Sequence, residues 1–153
     1  MGELFVLRNV ANIASPSDIG SLAVIQYTVE VLKVTDILVA GHYGCGGVKA
    51  SATKFDHGPL EAWLSQLRRI RQKYSKELSK YSNVKDEAKR LVELNVQEQV
   101  MNVASTPFVQ RAWKNGQELR VHGVIYDMAT GKLIDQKLTM YELDQVPREL
   151  RVV

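Results

Sequence analysis

The chain has 153 residues, 45% of them hydrophobic and 24% charged, with a net charge of +3. These values describe a single globular domain with a real core, and they exclude a highly charged disordered chain or a broadly basic nucleic-acid binder. One cysteine excludes an internal disulfide framework and fits a reducing compartment, so a cytoplasmic location is expected; no run approaches the ~20 apolar residues of a membrane helix.

Residues 4–7, Leu-Phe-Val-Leu, make a continuous apolar run suited to a strand covered on both faces. Residues 9–17 read as a loop. Ser17 is placed to cap a helix reaching about residue 34, with Leu22, Ile25, Val29 and Leu32 on one stripe. Residues 36–40 give a second buried strand, and a short helix is expected from Gly44 onward. Pro59, suited to a first helical position, opens Leu60, Trp63, Leu64, Leu67 and Ile70 at helical spacing. Residues 75–85 read as the least ordered piece. A long helix is expected over about 86–104, carrying Leu91, Val92, Val96, Val100 and Val103, and Thr106-Pro107 starts another that ends near Gly116.

The period then changes. Residues 119–128 and 133–141 read as strands joined by the turn Ala129-Thr130-Gly131-Lys132. Strands separated by helices imply parallel crossovers, so the expected fold is α/β: a mostly parallel sheet flanked by helices, with a C-terminal antiparallel edge hairpin. One domain over residues 1–153 is expected.

Basic residues cluster locally. Between Arg68 and Arg90 lie nine Lys or Arg against three acids, with only Tyr74 and Tyr81 as stacking platforms. That composition fits a solvated helical face and its connecting loop, and no nucleic-acid partner is expected.

The stretch that carries chemistry is Gly41-His42-Tyr43-Gly44-Cys45-Gly46-Gly47, directly after the second apolar run. A buried strand that delivers a His and a Cys into a glycine-rich loop presents two zinc ligands, which is half of a site. A lone Cys is also a common small buried hydrophobe, and a glycine-rich strand-to-helix loop also suits an anion through its backbone N–H groups. On spacing alone the three readings stay open.

Four motifs in register then resemble one family. The run Gly2-Glu3-Leu4-Phe5-Val6-Leu7-Arg8-Asn9-Val10-Ala11-Asn12 is similar to a strand and loop of β-class carbonic anhydrases, except that the usual His before the Arg is Leu7. The stretch from Tyr27-Thr28-Val29-Glu30 to Gly46-Gly47-Val48 resembles that family's second signature. Leu94-Asn95-Val96-Gln97-Glu98-Gln99-Val100 and Val121-His122-Gly123-Val124-Ile125-Tyr126-Asp127 add two more matches.

The resemblance implies Zn²⁺ held by two Cys and one His, and reversible hydration of CO₂ to bicarbonate by zinc-activated water. His42 and Cys45 match two of the metal ligands. Gly46 and Gly47 are placed to offer N–H groups to an anion near the metal. Arg8 and Tyr126 match residues that contribute to a non-catalytic bicarbonate pocket in some members. The first Cys of the family, with an Asp and an Arg, comes from a Cys-x-Asp-x-Arg motif upstream of the first match. This sequence has no second Cys and no Asp-x-Arg. It reads as a severed family sequence, so no catalytic residue, a partial zinc site and impaired activity are expected. His57 and His122 are weighed as substitute ligands and read instead as a loop and a strand histidine.

The family resemblance also implies a strand between residues 4–7 and 36–40. Its loss orphans backbone groups on both neighbours, so homo-oligomerisation is expected. The competing reading is a non-catalytic remnant that serves subunit interaction or anion binding.

Overall fold

The computed structural model describes residues 4–53 and 58–153. The first regular element is a short 3-10 turn, Val10–Asn12, followed by α1 (Ile19–Glu30) and β1 (Asp36–His42). The helices α2 (Gly46–Ser51), α3 (Leu60–Lys73), α4 (Ser75–Leu78), α5 (Val84–Ala104) and α6 (Pro107–Lys114) come next. The chain closes with β2 (Arg120–Asp127), β3 (Lys132–Met140) and two further 3-10 turns.

The cap of α1 is Asp18 rather than Ser17: its carboxylate accepts from the Gly20 N–H and the Ser21 hydroxyl. A carboxylate is the better acceptor for the orphan donors of a first turn. Asn83 caps α5 in the same way, accepting from the Asp86 N–H at 2.8 Å. The stripe read on α3 is real, with Leu64, Leu67 and Ile70 buried.

Among the described residues the sheet has the order β1-β2-β3. β1 and β2 run parallel, with Leu38 opposite His122 and His42 opposite Tyr126. β2 and β3 form the expected antiparallel hairpin, with an irregularity between Gly123 and Val124. The α/β class is thus a three-stranded sheet with one parallel and one antiparallel pairing. α5 lies across one face. A Cβ on Gly41 would meet Val96 Cγ2 at 2.6 Å, and one on Gly123 would meet Val96 Cγ1 at 3.1 Å. The missing side chains let the helix backbone approach both strands.

Two expectations are corrected. Residues 4–7 form no strand; Leu4, Phe5, Val6 and Leu7 are 81%, 54%, 65% and 44% exposed. A strand exists only through its ladder, and the backbone of these residues finds no acceptor or donor among the described residues. The Phe5 ring lies tilted against that of Tyr27, centroids 6.0 Å apart. The second correction is residues 75–85. Instead of a loose segment, α4 turns there and buries Leu78 at 3% exposure. The basic run beside it is drawn into ion pairs, Arg71 with Glu87, Lys73 with Glu98 and Arg90 with Glu77.

Candidate metal centre

The strand β1 ends in the glycine loop and delivers His42 half-buried at its tip. Gly44 takes φ +78°, a left-handed turn that a side chain would strain. The turn brings Cys45, 5% exposed, to the N-cap of α2. His42 Nδ1 lies 3.2 Å from the Tyr43 carbonyl. A carbonyl only accepts, so Nδ1 carries the proton and donates, and Nε2 keeps its lone pair. That is the tautomer an imidazole ligating a metal through Nε2 needs.

Tyr43 locks the loop onto α5. Its hydroxyl donates to Glu93 Oε1 at 2.8 Å, and Lys89 Nζ sits 4.7 Å above the ring. Burial, with the Glu93 carboxylate beside it, pushes the Tyr43 phenol up to about 12. It is therefore a neutral donor throughout the physiological range. Arg90 completes the brace, donating to Glu93 at 2.7 Å and to Glu77 at 2.6 Å.

A second loop closes on the same end of β1. Ala11 and Asn12 adopt φ 61° and 46°, left-handed values uncommon for residues with side chains. Neighbouring groups over-determine them. The Asn9 side chain accepts from the Ile13 N–H and donates to the Ile13 carbonyl, at 2.9 and 2.7 Å. Asn95 Nδ2 donates to the Ala11 carbonyl at 2.9 Å, and Trp63 Nε1 to that of Val10 at 2.8 Å. Asn12 Nδ2 is left buried without an acceptor among the described residues, and its Oδ1 is 3.5 Å from the position of a Cβ on Gly41. A buried donor of that kind costs about 1–3 kcal/mol until something accepts its proton. This brace of Asn9, Trp63 and Asn95 was invisible to spacing. The one signal was the pair of asparagines in the two family-like motifs.

Gly46 opens α2 with nothing within 4 Å of its added Cβ, while Gly47 is packed against Val10 and Ala11. The first N–H groups of α2 have no acceptor within the helix. Tyr126 stands beside His42 in register and is 42% exposed. Arg8 is exposed and has no hydrogen bond or ion pair among the described residues, so no direct bond joins it to Tyr126. His57 lies outside the described residues. His122 is four residues back along the sheet from the Tyr126 position, about 13 Å from it at strand rise. Its Nε2 lies 3.0 Å from Asp36 Oδ1 and its Nδ1 3.0 Å from Thr139 Oγ1. Since the carboxylate only accepts, Nε2–H donates and Nδ1 accepts from Thr139. Its two ring nitrogens are thus spent on a clasp across all three strands.

Zinc wants four donors, three of them from protein even in an open catalytic site. His42 and Cys45 suit the metal in type and tautomer. Among the described residues no group of three His, Cys, Asp or Glu gathers to hold an ion. The described residues do not by themselves make up a zinc site.

An α/β sheet whose strand tip presents His-x-x-Cys in a glycine turn held by Tyr43 on Glu93, beside a loop braced by Asn9 and Asn95, defines a narrow class. The family model described as carbonic anhydrase matches residues 1–133, and the chain belongs to that family. A carbonic anhydrase of Emericella nidulans is 41% identical over 134 residues, covering 88% of this chain and 59% of the relative. One of Candida albicans is 42% identical over 147 residues, covering 95% and 52%. The chain thus spans between half and three-fifths of the length of these curated relatives. Among solved structures, the β-carbonic anhydrase of Coccomyxa in complex with acetazolamide superposes with a TM-score of 0.90 at 37% identity, over 97% of this chain and 69% of that one. A tetrameric β-carbonic anhydrase of Sordaria macrospora gives 0.83 at 33% identity, over 89% and 69%.

Proposed function

We propose that this chain carries the His-and-Cys half of a zinc site for reversible hydration of CO₂ to bicarbonate, and that alone it is close to inactive. The observation that carries the reading is His42: its Nδ1–H is spent on Tyr43, leaving Nε2 free, in a braced loop that also presents Cys45. The family match over residues 1–133 supports CO₂ as the substrate. Zinc, with His42 and Cys45 as donors, needs at least one further ligand, and a Cys-x-Asp-x-Arg segment is the chemistry that would supply it. Arg8, Gly46, Gly47 and Tyr126 are proposed as anion contacts for bicarbonate. A cytoplasmic location is proposed from the free thiol of Cys45. Homo-oligomerisation is proposed from the tetrameric Sordaria neighbours and the exposed apolar surface.

Stopped-flow CO₂ hydration tests this on two proteins, the chain itself and the chain extended upstream by a segment with Cys-x-Asp-x-Arg. The short chain should stay near the uncatalysed rate. The extended one should turn over, and His42→Ala should abolish its turnover. Robust hydration by the short chain, sensitive to His42→Ala, would overturn the claim of inactivity. A second reading, a non-catalytic chain that serves subunit interaction, is favoured by one observation: residues 4–7 present four apolar side chains to solvent.

A further inference from the structure

Away from the His-and-Cys loop, the loop before α1, α3 and α5 line an open cleft of about 580 Å³. That volume is in the range of small-molecule sites. Its wall is polar. Ser17, Ser65, Gln66, Arg69, Glu98 and Asn102 are the groups that matter.

The charges in the cleft are unequal. The Glu98 carboxylate is already neutralised: Lys73 Nζ donates to its oxygens at 2.8 and 3.0 Å, and the Tyr74 hydroxyl donates at 2.6 Å. Arg69 has no hydrogen-bond or ion-pair partner among the described residues, although its neighbours Arg68 and Arg71 are paired with Glu61 and Glu87. The cleft is therefore lined by a solvent-exposed guanidinium with no protein partner among the described residues, a planar fork suited to bidentate binding of an oxyanion.

Around it stand unspent hydrogen-bonding groups. The Gln66 amide has no protein partner among the described residues. Ser65 donates its proton to the Ala62 carbonyl at 2.7 Å and keeps its lone pairs. Asn102 donates to Gln99 Oε1 at 3.0 Å, which fixes the amide and leaves its own oxygen as an acceptor. Gln99, 1% exposed, also accepts from the Ala14 N–H at 2.9 Å and donates to Asn95 at 3.0 Å. The floor of the cleft is thus anchored to the same asparagine that braces the loop over β1.

We propose that this cleft binds a small phosphorylated polyol, with Arg69 on the phosphate and Glu98, Asn102 and Ser65 accepting from its hydroxyls. A bare oxyanion would leave those acceptors without a donor from the ligand, and a neutral polyol would leave the guanidinium without an anion. The ligand that answers both carries a phosphate on a hydroxyl-bearing carbon chain. The site is independent of zinc and of CO₂ hydration, so it stands or falls separately from the proposed function.

The test is ¹⁵N-resolved NMR titration of the chain with inorganic phosphate, glucose and glucose 6-phosphate. Glucose 6-phosphate should shift the amides of Ser17, Ser65 and Asn102 saturably, at least about tenfold more tightly than phosphate or glucose alone. Arg69→Ala should lose that binding, Arg69→Lys should retain part of it, and Lys114→Ala, on the far helix α6, should change nothing. Arg69 is exposed, so Arg69→Ala should keep the wild-type melting curve, which separates loss of binding from loss of fold. Shifts that persist in Arg69→Ala, or phosphate alone binding as tightly as glucose 6-phosphate, would overturn the proposal.

Discussion

At His42 a single carbonyl decides which ring nitrogen is left for chemistry, and Tyr43 supplies that carbonyl while its own side chain holds the loop. Replacing Tyr43 by Phe removes the 2.8 Å bond to Glu93 and leaves a charged acceptor with Arg90 as its remaining partner. The expected loss is about 1–2 kcal/mol in denaturant unfolding, because the lost bond was to a charged group in a half-buried place. An unchanged midpoint would show that the brace adds nothing. The His-x-x-Cys pattern was legible because glycines and an apolar strand mark the loop from within seven residues. Glu93 was not, since it lies 50 positions away and no local period points to it.

Asp36 gives a second expectation at this scale. The Thr35 hydroxyl, then His122 and Arg120, hold its carboxyl well below the usual carboxylate range. A depressed carboxylate stabilises the fold above its unfolded value of ~3.9, and that contribution is lost as pH falls through the lower folded value. Asp36→Asn should therefore lower stability at neutral pH and flatten the decline below about pH 4. Solvent screening keeps the effect modest, since the Asp36 side chain is 36% exposed. A melting series from pH 7 to pH 2 in which both proteins fall in parallel would contradict it.

The contact of α5 with β1 and β2 is what places the loop. Gly41→Ala drives a methyl into Val96 Cγ2 at 2.6 Å, and overpacking of this kind costs about 1–3 kcal/mol. Pairing it with Val96→Ala should recover part of that loss, because the two sites share one space. Strict additivity of the two changes would mean that the close approach is not the constraint. Helical spacing revealed α3 and α5 because apolar side chains recur on one face of each. The run at residues 4–7 misled for the opposite reason. Apolar continuity reports what a segment would bury, and a strand also needs a backbone partner, which β1 and β2 give each other and residues 4–7 lack among the described residues. The charged run of 75–85 hid α4 because Leu78 is a single apolar anchor, too little for a period.

On the scale of the whole molecule, the sheet is covered by α5 on one side and carries Leu38, Tyr126 and Leu133, at 52%, 42% and 61% exposure, on the strands' other faces and ends. β1 pairs only with β2 among the described residues, so its outer edge offers unpaired backbone groups. Open edges and apolar patches associate. Light scattering of the isolated chain should show concentration-dependent assembly, and a monodisperse monomer across micromolar concentrations would count against it.

Zinc content per chain after dialysis against a weak chelator tests most directly whether His42 and Cys45 are half of a zinc site. The chain alone should hold well under one zinc. The same chain supplied with an upstream Cys-x-Asp-x-Arg segment should hold one, lost again in Cys45→Ser. One tightly held zinc on the chain alone, or none on the supplemented chain, would contradict the account.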